Sequence, residues 1–374
     1  MKWEQHARRL AGELVRPESR WHEPLATTPR HAFVPRWWVR GETGRKLRTG
    51  ESDPEAWMRT VYTDSTLVTR VGPHHADHAA SGAVVESGRT TSSSTHPSLV
   101  VGMYRHAALG EGSRTVVTTG TGYGTALICR RLGDELVTSL DVDPYLVAAA
   151  TERLDAVGLH PEVAVADLTK PLPGEYDRIV ATVSVRQIPT TWLDALRPNG
   201  RMVTTITDTG LILVADKTAD GGAEGHIPHD GAAFMRVRSG EDYEDNSPST
   251  DLWEKAHGDG EELGVSRYPL VYVPDAWDVM SMLELTVPGV EHHRSRDGDL
   301  RTVWLMHRDG SWARATTSGR LILPTVHQGG PAASGTTSNP SATGSTPSGP
   351  CPSTAPGSPS HPTDRPLSPA ERGP

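Results

Sequence analysis

The chain has 374 residues, enough for two domains with tails. Its formal net charge of −9 argues against a general nucleic-acid binder. Cys129 and Cys351 are too few for a disulfide framework and have no metal-ligand neighbours, which fits a reducing, cytoplasmic setting.

The opening MKWEQHARRL is charged and has no apolar centre, so no signal peptide is expected, and no apolar run approaches the ~18 residues of a membrane span. Leu10, Leu14 and Val15 give Trp3 to Val15 a helical spacing. The stretch TPRHAFVPRWW, residues 28–38, is aromatic and bounded by prolines, so it reads as extended or turned. His74, His75 and His78 sit in a Pro/Ala/Gly loop without a Cys or Glu at ligand spacing, and no metal is expected there. Leu99, Val100, Met103 and Tyr104 predict a helix over Pro97 to Ala108.

From Thr115 strands and helices alternate. Strands are predicted over Thr115–Thr119, Leu136–Leu140, Glu162–Ala166, Arg178–Val183 and Arg201–Ile206, with Leu211–Ala215 and Ala233–Arg238 extending the sheet. The helices between them are Thr125–Leu132, Pro144–Val157 and Thr191–Leu196. This alternation implies an α/β fold with a parallel sheet covered on both faces. Residues 241–327 read as a small strand-rich accessory α+β domain with short apolar runs, Tyr268–Val273, Met280–Thr286, Thr302–Met306 and Leu321–Leu323. Residues 328–374 are rich in Pro, Ser and Gly, and disorder is expected because they bury too little apolar surface to offset ordering entropy.

The turn TTGTGYG follows the first of the alternating strands. Gly120, Gly122 and Gly124 permit close backbone approach to a ligand, and Asp141 and Asp143 follow about 20 residues later, where a carboxylate grips a ribose diol. The order suits a dinucleotide or S-adenosylmethionine. The G-x-G-x-G spacing departs from G-x-G-x-x-G and favours S-adenosylmethionine, as do Asp167 after the third strand and the pair YDRIV and LRPNGRMV. Asp143 also suits helix capping before Pro144. Asp143-Pro144-Tyr145 matches a D-P-P-Y motif only superficially, because it lacks the second proline and follows the wrong strand.

TPRHAFVPRWW, the Ser/Thr run before Pro97, the glycine loop with Tyr123, SLDVDP, the Ala166-Asp167 pair, YDRIVATVSVRQIP and LRPNGRMV together resemble the protein-L-isoaspartate O-methyltransferase family over roughly residues 28–206. The resemblance implies a Rossmann-like class I methyltransferase with a mostly parallel seven-stranded sheet, S-adenosyl-L-methionine as cofactor, and a peptide or protein substrate carrying Asp or isoaspartate. An N-terminal helical, substrate-side segment over 1–90 and a methyltransferase domain over 91–240 are expected, with a monomeric state and no nucleic-acid or membrane partner. The family's hydroxyl motif falls on Ser93-Ser94-Thr95-His96-Pro97, with Thr95 at the catalytic hydroxyl, and Ser93 and Ser94 beside it. Thr118, Gly120, Gly122, Tyr123, Asp141, Asp143 and Asp167 fall on cofactor positions, and Tyr62-Thr63-Asp64 on the border of the substrate cleft. The family's acid before the glycines is missing: Thr118 takes its place if the loop starts at Gly120, and Val116 does if Tyr123 is aligned with the family tyrosine. The variant Ser/Thr motif and long C-terminal part resemble an actinobacterial subgroup, some members of which methylate aspartate in ribosomally made peptides. A non-catalytic binding protein of the same fold, or a methyltransferase for another small substrate, are the alternatives.

Overall fold

The computed structural model describes residues 2–238, 250–319 and 322–331. Four helices, α1 (Trp3–Leu14), α2 (His22–Thr27), α3 (Arg30–Phe33) and α4 (Pro54–Val61), flank a mixed N-terminal region. That region also holds a six-stranded antiparallel sheet of β1 (Arg36–Gly41), β2 (Gly44–Thr49), β3 (Leu67–Val71), β4 (His74–His75), β5 (Val84–Val85) and β6 (Thr90–Ser94). The expected helical segment over 1–90 is therefore half right. Its strands are short and carry many charges on exposed positions, so their alternation is weak. The buried pair Trp38 and Leu47, opposite each other in β1 and β2, holds the register. Within TPRHAFVPRWW the single helical turn of α3 lies between Pro29 and Pro35, where an extended or turned segment was expected. The Ser/Thr run is strand β6, which pairs Ser94 with Leu67 and Ser93 with Val68 of β3.

After α5 (Pro97–His106) comes the seven-stranded sheet, built from β7 (Thr115–Thr118), α6 (Tyr123–Leu132), β8 (Val137–Asp141), α7 (Pro144–Asp155), β9 (Glu162–Val165), β10 (Tyr176–Val185), α8 (Thr190–Ala195), β11 (Leu196–Ile206), β12 (Ile212–Lys217) and β13 (Ala223–His226). Its order is β13-β12-β11-β10-β7-β8-β9. The five strands from β9 to β11 run parallel, and the β12 pairings on both sides are antiparallel. Val116, Ile179 and Met202 enter the core under α8, while their neighbours Val117, Val180 and Val203 enter the core under α5 and α6. This two-residue alternation is how a parallel sheet buries both faces. The chain winds from β7 out to β9 and then returns to β10 on the other side of β7. Open α/β sheets bind ligands at such a reversal, outside the carboxyl ends of the strands. The predicted strand Ala233–Arg238 is not a full strand. It makes one bridge, through Arg236, beside Ser184 of β10.

The last part has α9 (Thr250–His257), α10 (Trp277–Thr286) and an antiparallel sheet ordered β14-β18-β17-β16-β15, from β14 (Glu262–Val265), β15 (Glu291–Asp297), β16 (Leu300–Met306), β17 (Trp312–Thr317) and β18 (Thr325–Gly329). Leu252 and Ala256 of α9 pack on Trp304, Met306 and Trp312. Met280–Thr286, one of the apolar runs, is helical within α10, and Tyr268–Val273 forms no regular strand. Leu321 of the run Leu321–Leu323 lies outside the described residues. The expected tail begins too early at 328, because Gln328 and Gly329 pair with Ala313 and Trp312; residues 332–374 lie outside the described residues. No helix among the described residues is long and apolar enough to cross a membrane.

Candidate active site

A pocket with an empty volume of about 970 Å³ opens at the carboxyl ends of β7, β8 and β10. Gly120, Asp141 and Thr118 line one side and Ser93, Thr95 and His96 another. β7 ends at Thr118, paired in parallel with Leu140, and Gly120 is the first glycine of the turn that follows. Gly120 has φ +50°, a left-handed backbone suited to glycine, and a Cβ there would reach only the Ser93 carbonyl at 3.8 Å.

Asp141, at the end of β8, accepts the Gly120 N–H on Oδ2 at 3.0 Å and the Asp143 N–H on Oδ1 at 3.1 Å. Burial pushes its pKa up, against the pull of these hydrogen bonds and the Arg238 charge. A carboxylate offers about four lone-pair positions. Two are in use, which leaves acceptors for the two hydroxyls of a ribose diol. This donor set therefore fits the nucleoside end of S-adenosylmethionine. The other end of the site is neutral: Thr118 Oγ1 accepts the Thr182 N–H at 3.0 Å and pairs with the Thr182 hydroxyl. A hydroxyl pair there offers a methionine ammonium only dipoles.

Ser93, the next-to-last residue of β6, and Thr95, just beyond it, line the pocket. Ser94 does not; it lines a smaller adjoining recess with Tyr104, Tyr123 and Gly124, which Ser93 and Thr95 also reach, and its buried hydroxyl has no hydrogen-bond partner among the described residues. Thr95 is held through its backbone. The guanidinium of Arg30, 0% exposed, donates to the carbonyls of Thr95 at 3.2 Å, Ser94 at 3.4 Å, Ser65 at 2.8 Å, Thr63 at 2.7 Å and Val61 at 2.8 Å. Arg30 thereby ties the loop after α4 to the end of β6, while also lying 5.4 Å over the Tyr123 ring.

Several expected cofactor contacts are structural instead. Gly122, φ +88°, precedes α6, and a Cβ there would come within 3.1 Å of Ala150 and 3.3 Å of Phe33, so it sets how closely α6, α7 and α3 pack. Tyr123 is buried against Phe33 and Arg30, its pKa pushed up to about 12 by burial. Asp143 caps α7 by accepting the Tyr145 and Leu146 N–H groups, and pairs with Arg70 at 3.0 Å; His75 Nε2 lies farther off, at 3.5 Å. The His75 ring and the Arg70 guanidinium beside it together outweigh burial and hold its carboxyl at about 2. Asp167 turns back to accept the N–H and hydroxyl of Thr169, at 2.8 and 2.7 Å, while its neighbours Ala166 and Leu168 stand on the pocket wall. Tyr62, Thr63 and Asp64 are likewise outside the wall: Tyr62 bonds His31, and Asp64 caps α5 at Ser98.

Sequence reasoning missed Thr66, Thr182, His96 and Arg238 on the wall, and the tether Arg30. His96, Arg30 and Thr182 lie inside motifs quoted for the resemblance, whereas Thr66 becomes recognisable only once β3 and β6 are assembled.

Residues 54–239 match the family described as Protein-L-isoaspartate(D-aspartate) O-methyltransferase. Among relatives, Protein-L-isoaspartate O-methyltransferase 2 of Archaeoglobus fulgidus is 28% identical over 226 residues, covering 59% of this chain and 85% of that protein. A Protein-L-isoaspartate O-methyltransferase of Azorhizobium caulinodans is 36% identical over 116 residues, and there the chain spans about half, 52%, of the relative. A solved protein-L-isoaspartate O-methyltransferase structure aligns with a TM-score of 0.46 at 18% identity over 88% of each chain. The similarity to the protein-L-isoaspartate(D-aspartate) O-methyltransferase family runs over residues 54–239, just under half of this chain.

Proposed function

We propose that the protein is an S-adenosylmethionine-dependent carboxyl O-methyltransferase acting on isoaspartyl or aspartyl residues of a peptide or protein. The observation that carries this reading is one pocket, at the reversal of the sheet, with the diol-type acceptor Asp141 and open Gly120 on one side and the hydroxyls of Ser93 and Thr95 on the other.

S-adenosylmethionine, when bound, supplies an electrophilic methyl on a sulfonium. Asp141 and Gly120 would hold the nucleoside end, and the Thr118–Thr182 hydroxyls would border the amino-acid end. The substrate carboxylate is ionised at neutral pH, so no general base is needed. Thr95, with Ser93 beside it, orients one carboxylate oxygen through a hydroxyl that makes no hydrogen bond to another described residue. A hydroxyl does this without neutralising the nucleophile, as a lysine would. The product ester activates its carbonyl toward the next backbone nitrogen, and succinimide forms with loss of methanol. Gly122, Tyr123, Asp143 and Asp167 belong to the frame of the site, and Ser94 to its inner recess.

With this reading we propose a substrate-side segment over 1–90, a methyltransferase domain over 91–240 and an accessory domain over 241–327, in a monomer. A cytoplasmic setting is supported by the buried free thiol of Cys129. Incubation with S-adenosylmethionine and isoaspartyl or aspartyl peptides should add the mass of one methylene, or remove that of water once succinimide forms; folded protein giving neither product would sink the reading. The neutral Thr118–Thr182 pair favours a second reading, a binding protein with weak cofactor affinity. Calorimetry with S-adenosylhomocysteine separates the two.

A further inference from the structure

We propose that a groove next to the active-site pocket is a subsite for peptide substrates with acidic residues flanking the methylated position. This rests on the carboxyl methyltransferase reading for the identity of the occupant, and its geometry stands apart from that reading. The groove has an empty volume of about 1250 Å³ and is walled on its far side by α10 and the start of β15. Phe234, Met235 and Arg236 line both the groove and the active-site pocket, and Thr90 and Thr91 of β6 divide between them, so a chain lying in the groove leads to Ser93 and Thr95.

Four arginines from separate segments converge on it: Arg89, Arg186, Arg236 and Arg308. Arg236 is committed to Asp208 in the turn between β11 and β12. Arg89, Arg186 and Arg308 are exposed, and no described carboxylate forms an ion pair with any of them. The groove's own acid Glu284 is buried, its Oε2 taking the Gly289 N–H at 3.0 Å, and Glu291 lies 3.6 Å from His293. The far wall is anchored: buried Ser281 of α10 donates to the Thr209 carbonyl at 3.0 Å, and Trp277 packs on Gly210. Arginine suits this task because its planar fork takes a carboxylate through two hydrogen bonds. With Asp208 and Glu291 in the same groove and a chain of net charge −9, the three arginines without a described ion-pair partner balance a few carboxylates, which favours a peptide with one or two acidic flanks over the continuous charge of a nucleic-acid backbone.

The test uses the full chain and two labelled isoaspartyl peptides, one with Asp and Glu flanks and one with Asn and Gln flanks. Anisotropy gives Kd and a methylation assay gives kcat/KM. The wild type should prefer the acidic peptide by about two- to fivefold per engaged arginine, and the Arg186→Ala/Arg308→Ala variant should lose that preference while handling the neutral peptide as before. Equal binding of the two peptides by wild type, or an unchanged preference in the variant, overturns the subsite. An oligonucleotide that displaces the acidic peptide at lower concentration than the unlabelled peptide also overturns it. Arginine-dependent binding of the acidic peptide without turnover of either peptide would keep the subsite and refute the methyl-transfer reading.

Discussion

Replacing Arg30 with methionine keeps the aliphatic stem and removes the guanidinium that five backbone carbonyls share. The hydrogen bonds to Val61 and Ser94 lie in fully buried surroundings and the other three in partly buried ones. A buried acceptor left without a donor costs about 1–3 kcal/mol, so the two buried carbonyls alone cost about 2–6 kcal/mol. Part of this is offset because the variant no longer desolvates a charge, a penalty seen in the downward shift of the Arg30 pKa by burial. The net loss should therefore fall in the lower half of that range, still a large part of the ~5–15 kcal/mol of a typical domain. Guanidinium chloride unfolding measures it, with an unchanged slope required for the comparison. Arg30→Lys should recover little, because one ammonium cannot span carbonyls from residues 61 to 95. The variant should also lower kcat, since the Thr95 carbonyl would lose its tether. A loss below about 1 kcal/mol with unchanged kcat would refute the tethering role.

Thr95→Val keeps the shape and removes the hydroxyl; kcat should fall about ten- to hundredfold with S-adenosylhomocysteine affinity unchanged, and full activity would remove Thr95 from the chemistry. Asp141→Ala should weaken S-adenosylhomocysteine binding about ten- to hundredfold by calorimetry, and an unchanged Kd would move the diol contact elsewhere. Asp143 has a carboxyl held at about 2 in the folded chain, below its ordinary value. Its contribution, about 2 kcal/mol, is present above pH ~4 and is lost as pH falls toward ~2. Asp143→Asn should lower stability at pH 7 and flatten this acid limb while leaving cofactor affinity nearly intact; an equal loss at pH 2 and pH 7 would contradict the ion pair with Arg70.

Local pattern and residue chemistry were enough for the five parallel strands and β12, but not for β13 (Ala223–His226), and the predicted strand Ala233–Arg238 makes only one bridge. The buried strands β7, β8, β10 and β11 are β-branched runs between helices of clear period, and such runs have few alternatives to a doubly covered parallel sheet. The glycine turn and Asp141 were legible for the same reason: a strand-end glycine with φ +50° and an acid one strand over are local demands of a close ligand approach. Pro144 and Asp143 likewise marked the start of α7; the structure adds to that cap an ion pair with Arg70, which spacing along the chain does not disclose. The aromatic Tyr123 and the acid Asp167 sit at positions that spacing allows for a ligand, but side-chain direction turned them to Phe33 and Thr169. Spacing along the chain says nothing of direction across an element.

The N-terminal sheet was not legible because its short, charged strands are stabilised by partners far along the chain. Ser93 faces the pocket only because β6 pairs with β3 in the register that sets Ser93 opposite Val68. Arg30, Thr182 and the arginine groove also arise from contacts between segments tens of residues apart. The sequence by itself determined the parallel strands and the glycine-acid pair, since local periodicity and backbone freedom carry that information; the reversal of strand order is seen only in the folded sheet. Only the tertiary structure decided which hydroxyls meet that pair and which acids merely cap helices, because hydrogen-bond satisfaction of buried groups is settled by the packed whole.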